Sequence, residues 1–241
     1  MTFLQEGIIN TGTMYPCSGG FSYRGLHVGC HAHPSPLSLI PAIATSCNGY
    51  FCWGLYYMIG ARQKYGSVQK AMNTWRDYMV SMGFGYQLGI DLPGEKRGMI
   101  PNAQYYDKAY RRSWNGLTII SISIGQGEVT ATPLQIANLG ATIANRGYFV
   151  TPHVVKEIEG ESIDSIYTTR RYTKVDKGHY EEVVQGMRSA VLGGTCRTAN
   201  IPELEICGKT GTAQNHGKDH SAFMGFAPMN NPKIAIAVYV E

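Results

Sequence analysis

Ser46-Cys47-Asn48 and Lys209-Thr210-Gly211-Thr212 stand near opposite ends of this 241-residue chain, and their chemistry joins only if folding brings them together. Transfer of an acyl group from a peptide needs a nucleophile, a proton carrier, donors for the oxyanion and a grip on the substrate. Lys209 and Thr210 on a strand supply a cation and a hydroxyl for a carboxylate. Gly211 removes a side chain where substrate backbone would lie against the strand. Thr212 adds a second hydroxyl and a backbone N–H that could face the oxyanion. Ser46 could pass a proton between Lys209 and a leaving group, and Asn48 could hold a substrate amide. Taken alone, Lys-Thr-Gly is three common residues, and a strand lysine beside a glycine bulge explains it equally well. The surroundings decide.

Residues 1–35 read as irregular, broken by Gly12, Pro16, Gly19-Gly20, Gly25, Gly29 and Pro34. From Leu37, the spacing of Ile40, Ile43 and Ala44 predicts a helix that delivers Ser46 at its end. A second helix carries Phe51, Leu55, Met58 and Ile59 at helical spacing. Ser67 can cap a third, whose apolar face is Val68, Met72, Trp75, Met79 and Met82. The apolar stretch from Leu117 to Ile124 has strand length and leads into Gly125-Gln126-Gly127. Thr132-Pro133 opens a helix ending near Gly147, with a capping residue followed by Pro at its first position. Residues 148–175 suggest surface hairpins, and Asp176 can cap a last helix with Val183, Val184, Met187 and Val191. Three strand-like runs close the chain: Ile206–Gln214, Ser221–Ala227 and Ile234–Val240. Both alternating faces of the last are apolar, which predicts a strand covered on both sides. Helices followed by an antiparallel sheet predict an α+β domain with helices packed on the sheet.

Hydrophobic residues at 44% and charged residues at 16% are a globular balance, and the length suits one domain over 1–241. The net charge of +4 is spread thinly apart from Arg111-Arg112 and Arg170-Arg171, so nucleic acid is not implied. No apolar run reaches the ~20 residues of a membrane helix. Residues 1–6 lack the basic and long apolar regions of a signal peptide, so an export or anchor segment, if there is one, lies outside the chain. His220 between Asp219 and Ser221 does not make a triad, because neighbours along a strand point to opposite faces. The aromatic run Tyr50, Phe51, Trp53, Tyr56 and Tyr57 reads as helix packing.

Gly208-Lys209-Thr210-Gly211-Thr212-Ala213-Gln214, followed by His220-Ser221-Ala222-Phe223-Met224-Gly225-Phe226-Ala227-Pro228, resembles the end of class B penicillin-binding transpeptidases. So do Gly125-Gln126-Gly127 running into Thr132-Pro133-Leu134-Gln135, and Gly89-Ile90-Asp91-Leu92-Pro93-Gly94-Glu95. The resemblance is to the penicillin-binding protein 2, or elongation and rod-shape, type. It runs in the family's order from Leu4-Gln5-Glu6-Gly7 to Tyr239-Val240-Glu241. It implies a β-lactamase/transpeptidase-like α+β fold and a serine D,D-transpeptidase that cross-links peptidoglycan stem peptides and is trapped by β-lactams. It makes Ser46, Asn48 and Lys209 the catalytic residues present, and Thr210, Gly211 and Thr212 the substrate-binding ones. A glycosyltransferase partner and a periplasmic site on the inner membrane, through an anchor outside the chain, are further implications.

The family's nucleophile lies in a Ser-x-x-Lys helix that would fall just upstream of Met1, and its early strands and final helix also lie outside the chain. The chain by itself is therefore expected to be inactive. Ser67-Val68-Gln69-Lys70 has the Ser-x-x-Lys form, but it follows Ser46 and reads as a helix cap. The rival readings are a β-lactamase or penicillin sensor, although no deacylating glutamate loop is recognisable, and a non-catalytic module that binds cell-wall peptides or a partner protein.

Six cysteines fall in two groups, Cys17, Cys30, Cys47 and Cys52 early and Cys196 and Cys207 late. Cys30-His31-Ala32-His33 offers a Cys-x-x-His pair, and Cys17 and Cys47 would complete three thiolates and one imidazole, a structural zinc set. Some relatives of the same type hold zinc in this region through the middle residue of Ser-x-Asn, the place of Cys47. His31 could stand in for His33. Free thiols or disulfides are the alternative. No organic cofactor is expected. Cys52 reads as core, and Cys196 and Cys207 either pair or pack.

Overall fold

A computed structural model describes residues 1–214 and 217–241. The chain opens with α1 (Thr2–Gln5), whose Phe3 ring fills the space where a Cβ on Gly54 would sit, 2.5 Å from the ring edge. The segment expected to be irregular then forms an antiparallel hairpin, β1 (Gly20–Tyr23) with β2 (Leu26–Gly29). Its two loop residues, Arg24 and Gly25, have φ of 50° and 81°, the pair of left-handed conformations that a tight hairpin loop requires.

α2 (Leu39–Ala44) is the short helix that delivers Ser46. Ser46 itself takes φ 54°, a strained conformation for a residue with a Cβ. The next residue, Cys47, accepts the Tyr50 N–H on its Sγ at 3.3 Å and so caps α3 (Asn48–Gly60). α4 (Arg62–Tyr65) leads to α5 (Val68–Ser81), whose cap is Ser67 Oγ on Lys70 N at 3.2 Å. After α6 (Ala103–Ala109), the apolar run of strand length winds instead into a 3-10 turn, Ile120–Ile124, that buries Ile120 and Ile122 against α3.

α7 (Pro133–Ala144) starts with a full capping box: Thr132 Oγ1 accepts Gln135 N, and Gln135 Oε1 accepts Thr132 N. β3 (Tyr148–Val150) pairs with β4 (Arg170–Tyr172) as the surface hairpin. α8 (Gly178–Gly193) begins later than expected, with Lys177 rather than Asp176 at its N-cap. Asp176 is occupied elsewhere. Its carboxylate accepts Gln5 Nε2 at 3.1 Å and its N–H donates to Gln5 Oε1 at 2.7 Å, tying α1 to α8.

β5 (Cys207–Ala213), β6 (His220–Ala227) and β7 (Ile234–Val240) form an antiparallel sheet in that order. Lys209 lies opposite Met224, and Met224 opposite Ala237. Helices on an antiparallel sheet make this an α+β domain, as expected. α7 packs on β6 and β7, while α8 lies against both α2 and β5. β7 departs from the sequence reading: Ile234, Ile236, Val238 and Val240 remain 43–62% exposed, so only one of its faces is covered here. Among the described residues no helix is long and apolar enough to cross a membrane.

The pairing of α8 with α2 fixes the later site. A Cβ on Gly186 of α8 would stand 2.8 Å from the Ile43 side chain of α2, so the two helices approach to a distance only glycine allows. Gly186→Val is expected to lower the stability of the chain by roughly 1–3 kcal/mol through overpacking, read as a fall in the urea midpoint. An unchanged midpoint would show that the contact is looser than it looks.

Candidate active site

The Nζ of Lys209 donates to Ser46 Oγ at 2.7 Å and to the Thr210 carbonyl at 2.7 Å, joining residues 163 positions apart. Burial holds the Lys209 ammonium below the ordinary lysine pKa, with the Cys196 thiol opposing that shift. A buried ammonium with two neutral oxygen partners is a poised proton donor and an anchor for an anion.

Asn48 follows Ser46 around the start of α3, where its side-chain Nδ2 donates to the Gly29 carbonyl at 2.8 Å and its N–H to Cys30 Sγ at 3.3 Å. The β1–β2 hairpin thus positions the amide of Asn48. Ser46, Asn48, Lys209, Thr210, Gly211 and Thr212 all line one cleft of about 750 Å³. The structure brings together the serine and asparagine of the first motif with all four residues of the second. β5 is the sheet's edge strand, and the cleft runs along it.

Four contributors lie outside the two motifs. Gln126, in the Gly-Gln-Gly segment, lines the cleft and donates its Nε2 to the Thr212 carbonyl at 2.8 Å. Thr195 Oγ1 accepts the Thr210 hydroxyl at 3.0 Å. His31 and Phe51 form part of the wall. Gln126 was visible as part of a motif; Thr195 had no local signal.

Beside the cleft, the ligand atoms of Cys17, Cys30, His33 and Cys47 lie within 4.8 Å of one another. In a tetrahedral site with zinc–sulfur bonds near 2.3 Å, the sulfurs would stand about 3.8 Å apart. His33 Nε2 is 3.3 Å from Cys30 Sγ, while its Nδ1 is 2.7 Å from the Pro34 carbonyl, which orients the ring with Nε2 towards the thiols. Burial pushes the Cys47 thiol up to about 12 and raises that of Cys30. His31 is outside this group, its ring 5.6 Å from that of His33. All six cysteines are free thiols. Cys52 is buried and accepts the Ser123 hydroxyl at 3.3 Å, while Cys196 and Cys207 sit in separate parts of the core.

Ser67 caps α5, and His220 starts β6 beside the Tyr239 hydroxyl. Neither lines the cleft.

An α+β fold that converges a serine hydroxyl, an asparagine amide and a buried lysine on an edge strand defines the β-lactamase/transpeptidase class. Within it, the chain belongs to the penicillin-binding protein transpeptidase domain family, which matches residues 1–241. The peptidoglycan D,D-transpeptidase MrdA of Acinetobacter baumannii is 37% identical over 222 residues, covering 83% of this chain and 31% of that protein. The solved structure of Pseudomonas aeruginosa PBP2 in complex with WCK 5153 superposes with a TM-score of 0.84 at 30% identity, over all of this chain and 53% of that one. A peptidoglycan synthase complex, solved for its coordination of polymerization and crosslinking, matches with a TM-score of 0.80 at 30% identity, over all of this chain and 40% of that one. The chain spans about a third of the length of the curated relative it matches.

Because folding lowers the Lys209 pKa, the native state binds fewer protons than the unfolded chain as pH approaches the ordinary lysine value of 10.5. Lys209 should therefore add stability as pH rises through the window below 10.5, a contribution absent in Lys209→Met and read as the difference between the two proteins. Urea midpoints of both proteins across that window test this; parallel curves would show that Lys209 does not carry the effect.

Proposed function

We propose that this chain is the transpeptidase core of a peptidoglycan D,D-transpeptidase of the elongation type. It joins stem peptides by acyl transfer and is trapped by β-lactams at the same nucleophile. The single observation carrying this reading is the Lys209–Ser46 contact at 2.7 Å in a cleft lined by the whole Lys-Thr-Gly-Thr strand. In the proposal Ser46 relays a proton between Lys209 and the leaving group, and Asn48 holds the substrate amide. Thr210 and Lys209 bind the substrate carboxylate, Gly211 admits substrate backbone, and the N–H of Thr212 faces the oxyanion. The attacking serine comes from a Ser-x-x-Lys segment preceding Met1 in the longer protein. Family membership favours this enzyme over a non-catalytic binding module. The synthase complex among its structural neighbours supports a glycosyltransferase partner. Peptidoglycan as substrate puts the reaction on the outer face of the cytoplasmic membrane.

The longer protein carrying this chain and the Ser-x-x-Lys segment should form a covalent adduct with a fluorescent penicillin. Ser46→Ala should slow labelling by roughly 10²–10⁴-fold, the range for loss of a proton-transfer group. Folded protein that takes no label would end the proposal.

We further propose that Cys17, Cys30, His33 and Cys47 hold a structural zinc ion. The donor set suits it: three thiols and an imidazole, close enough to contract onto one ion. The ion would bind the early loop to the Ser-x-Asn turn and fix the directions of Ser46 and Asn48. Elemental analysis should find about one zinc per chain, lost in Cys47→Ser with a lower thermal midpoint. A folded, reduced and metal-free chain would overturn it.

A further inference from the structure

α8 ends at Gly193, and the two residues that follow join both halves of the cleft. Gly194 lies so close to α2 that a Cβ there would stand 2.1 Å from the Ala44 carbonyl oxygen, which no side-chain-bearing residue could tolerate. This approach lets the Thr195 N–H donate to that same Ala44 carbonyl at 3.1 Å, two residues before Ser46. The Thr195 hydroxyl faces the other way, accepting the Thr210 hydroxyl at 3.0 Å. One residue is therefore pinned by its backbone to the helix that presents Ser46, and by its side chain to the strand that presents Lys209.

A threonine hydroxyl has one hydrogen to give and two lone pairs to receive. In the cleft as it stands, Thr210 directs its hydrogen to Thr195. A carboxylate arriving beside Lys209 needs that hydrogen, and turning it away costs the bond to Thr195 unless Thr195 then donates its own hydrogen to a Thr210 lone pair. Thr195 is the group placed to do so, since both hydroxyls can rotate in place without breaking a covalent bond. The reversed pair, Thr195 donating to Thr210 and Thr210 to the carboxylate, is a cooperative chain in which each bond strengthens the next. The Cys196 sulfur, 4.0 Å from Thr195 Oγ1, is too distant and too weak an acceptor to compete strongly for the Thr195 hydrogen.

We propose that Thr195 is a positioning residue for substrate selection: it parks the Thr210 hydroxyl while the cleft is empty and reverses that hydrogen bond when an acyl donor bearing a carboxylate binds. This rests on the transpeptidase reading above and adds to it a specificity for anionic donors that depends on a hydroxyl outside both motifs.

The test uses the longer protein with its nucleophile, and compares acylation by a penicillin with acylation by the same penicillin as its carboxylate methyl ester. Thr195→Val keeps the volume and removes the hydroxyl. It should cut the second-order acylation rate for the free carboxylate about ten-fold, the upper end for one neutral hydrogen bond. The loss should appear in the affinity of the pre-covalent complex, leave the ester within about two-fold of the unchanged protein, and be restored in Thr195→Ser. Thr195→Ala, which also lacks the hydroxyl, serves if the valine variant does not fold. Equal losses for acid and ester, no loss for either, or failure of serine to restore the rate would each overturn the inference while leaving the transpeptidase reading intact. An unaltered protein that is not acylated at all would remove both.

Discussion

The uncompensated charge on Lys209 is the constraint around which the rest of this molecule is arranged. A buried ammonium is costly unless it is paired, yet among the described residues no carboxylate forms an ion pair with it. Its partners are the Ser46 hydroxyl and a strand carbonyl, both neutral. The fold thus carries a partly buried ammonium that an incoming anion can pair with, at a position where a serine can exchange protons with it. An internal Asp or Glu in the same place would have stabilised the fold and closed the site to a substrate carboxylate.

Holding that ammonium against Ser46 requires accurate placement of elements far apart in sequence. α8 is the intermediary, in contact with α2 on one side and β5 on the other. Two glycines set the distance: Gly186 admits Ile43, and Gly194 admits the Ala44 carbonyl. Ser46 then leaves α2 with a left-handed φ of 54°, a conformation the flanking helices impose. The strain turns the chain sharply enough for Cys47 to cap α3 at once, so that Ser46 and Asn48 lie on either side of one turn and both face the cleft. Strain of this kind persists only where the surroundings over-determine it, and here the Ser46 N–H donates to the Ile43 carbonyl at 3.1 Å and the Cys47 N–H to the Ala42 carbonyl at 2.9 Å.

Features that carry their signal locally were legible in the sequence. The Thr132 cap with Pro133 at the first helical position, the Ser67 cap and the three closing strands needed only neighbouring residues to be recognised. The two motifs were legible because their chemistry is explicit in residue type. What escaped was decided by tertiary context. The β1–β2 hairpin turns on Arg24-Gly25, a weaker turn signal than Asn-Gly, within a segment whose glycines suggested disorder of pattern. Leu117–Ile124 is apolar enough for a buried strand, but among the described residues no strand pairs with it and its second half winds into a turn against α3. The alternating pattern of β7 reports that both faces are apolar and says nothing about what lies over them. Thr195 acts through a backbone N–H and a single hydroxyl, neither of which distinguishes it from any other loop threonine.

The thiol cluster and the cleft are one structure rather than two, because Cys30 belongs to both and Cys47 stands in the turn between two cleft residues. The Cys47 sulfur caps α3 while standing among Cys17, Cys30 and His33, and the residues on either side of it are Ser46 and Asn48. Cys30 closes the loop from the other direction, lining the cleft and accepting the Asn48 N–H. Burial raises the Cys47 and Cys30 thiols and so disfavours their thiolate forms. A divalent cation would invert that balance by stabilising the thiolates and tightening every backbone segment that carries them. The geometry of Ser46 and Asn48 is therefore linked through Cys47 and Cys30 to the chemical state of the cluster behind them.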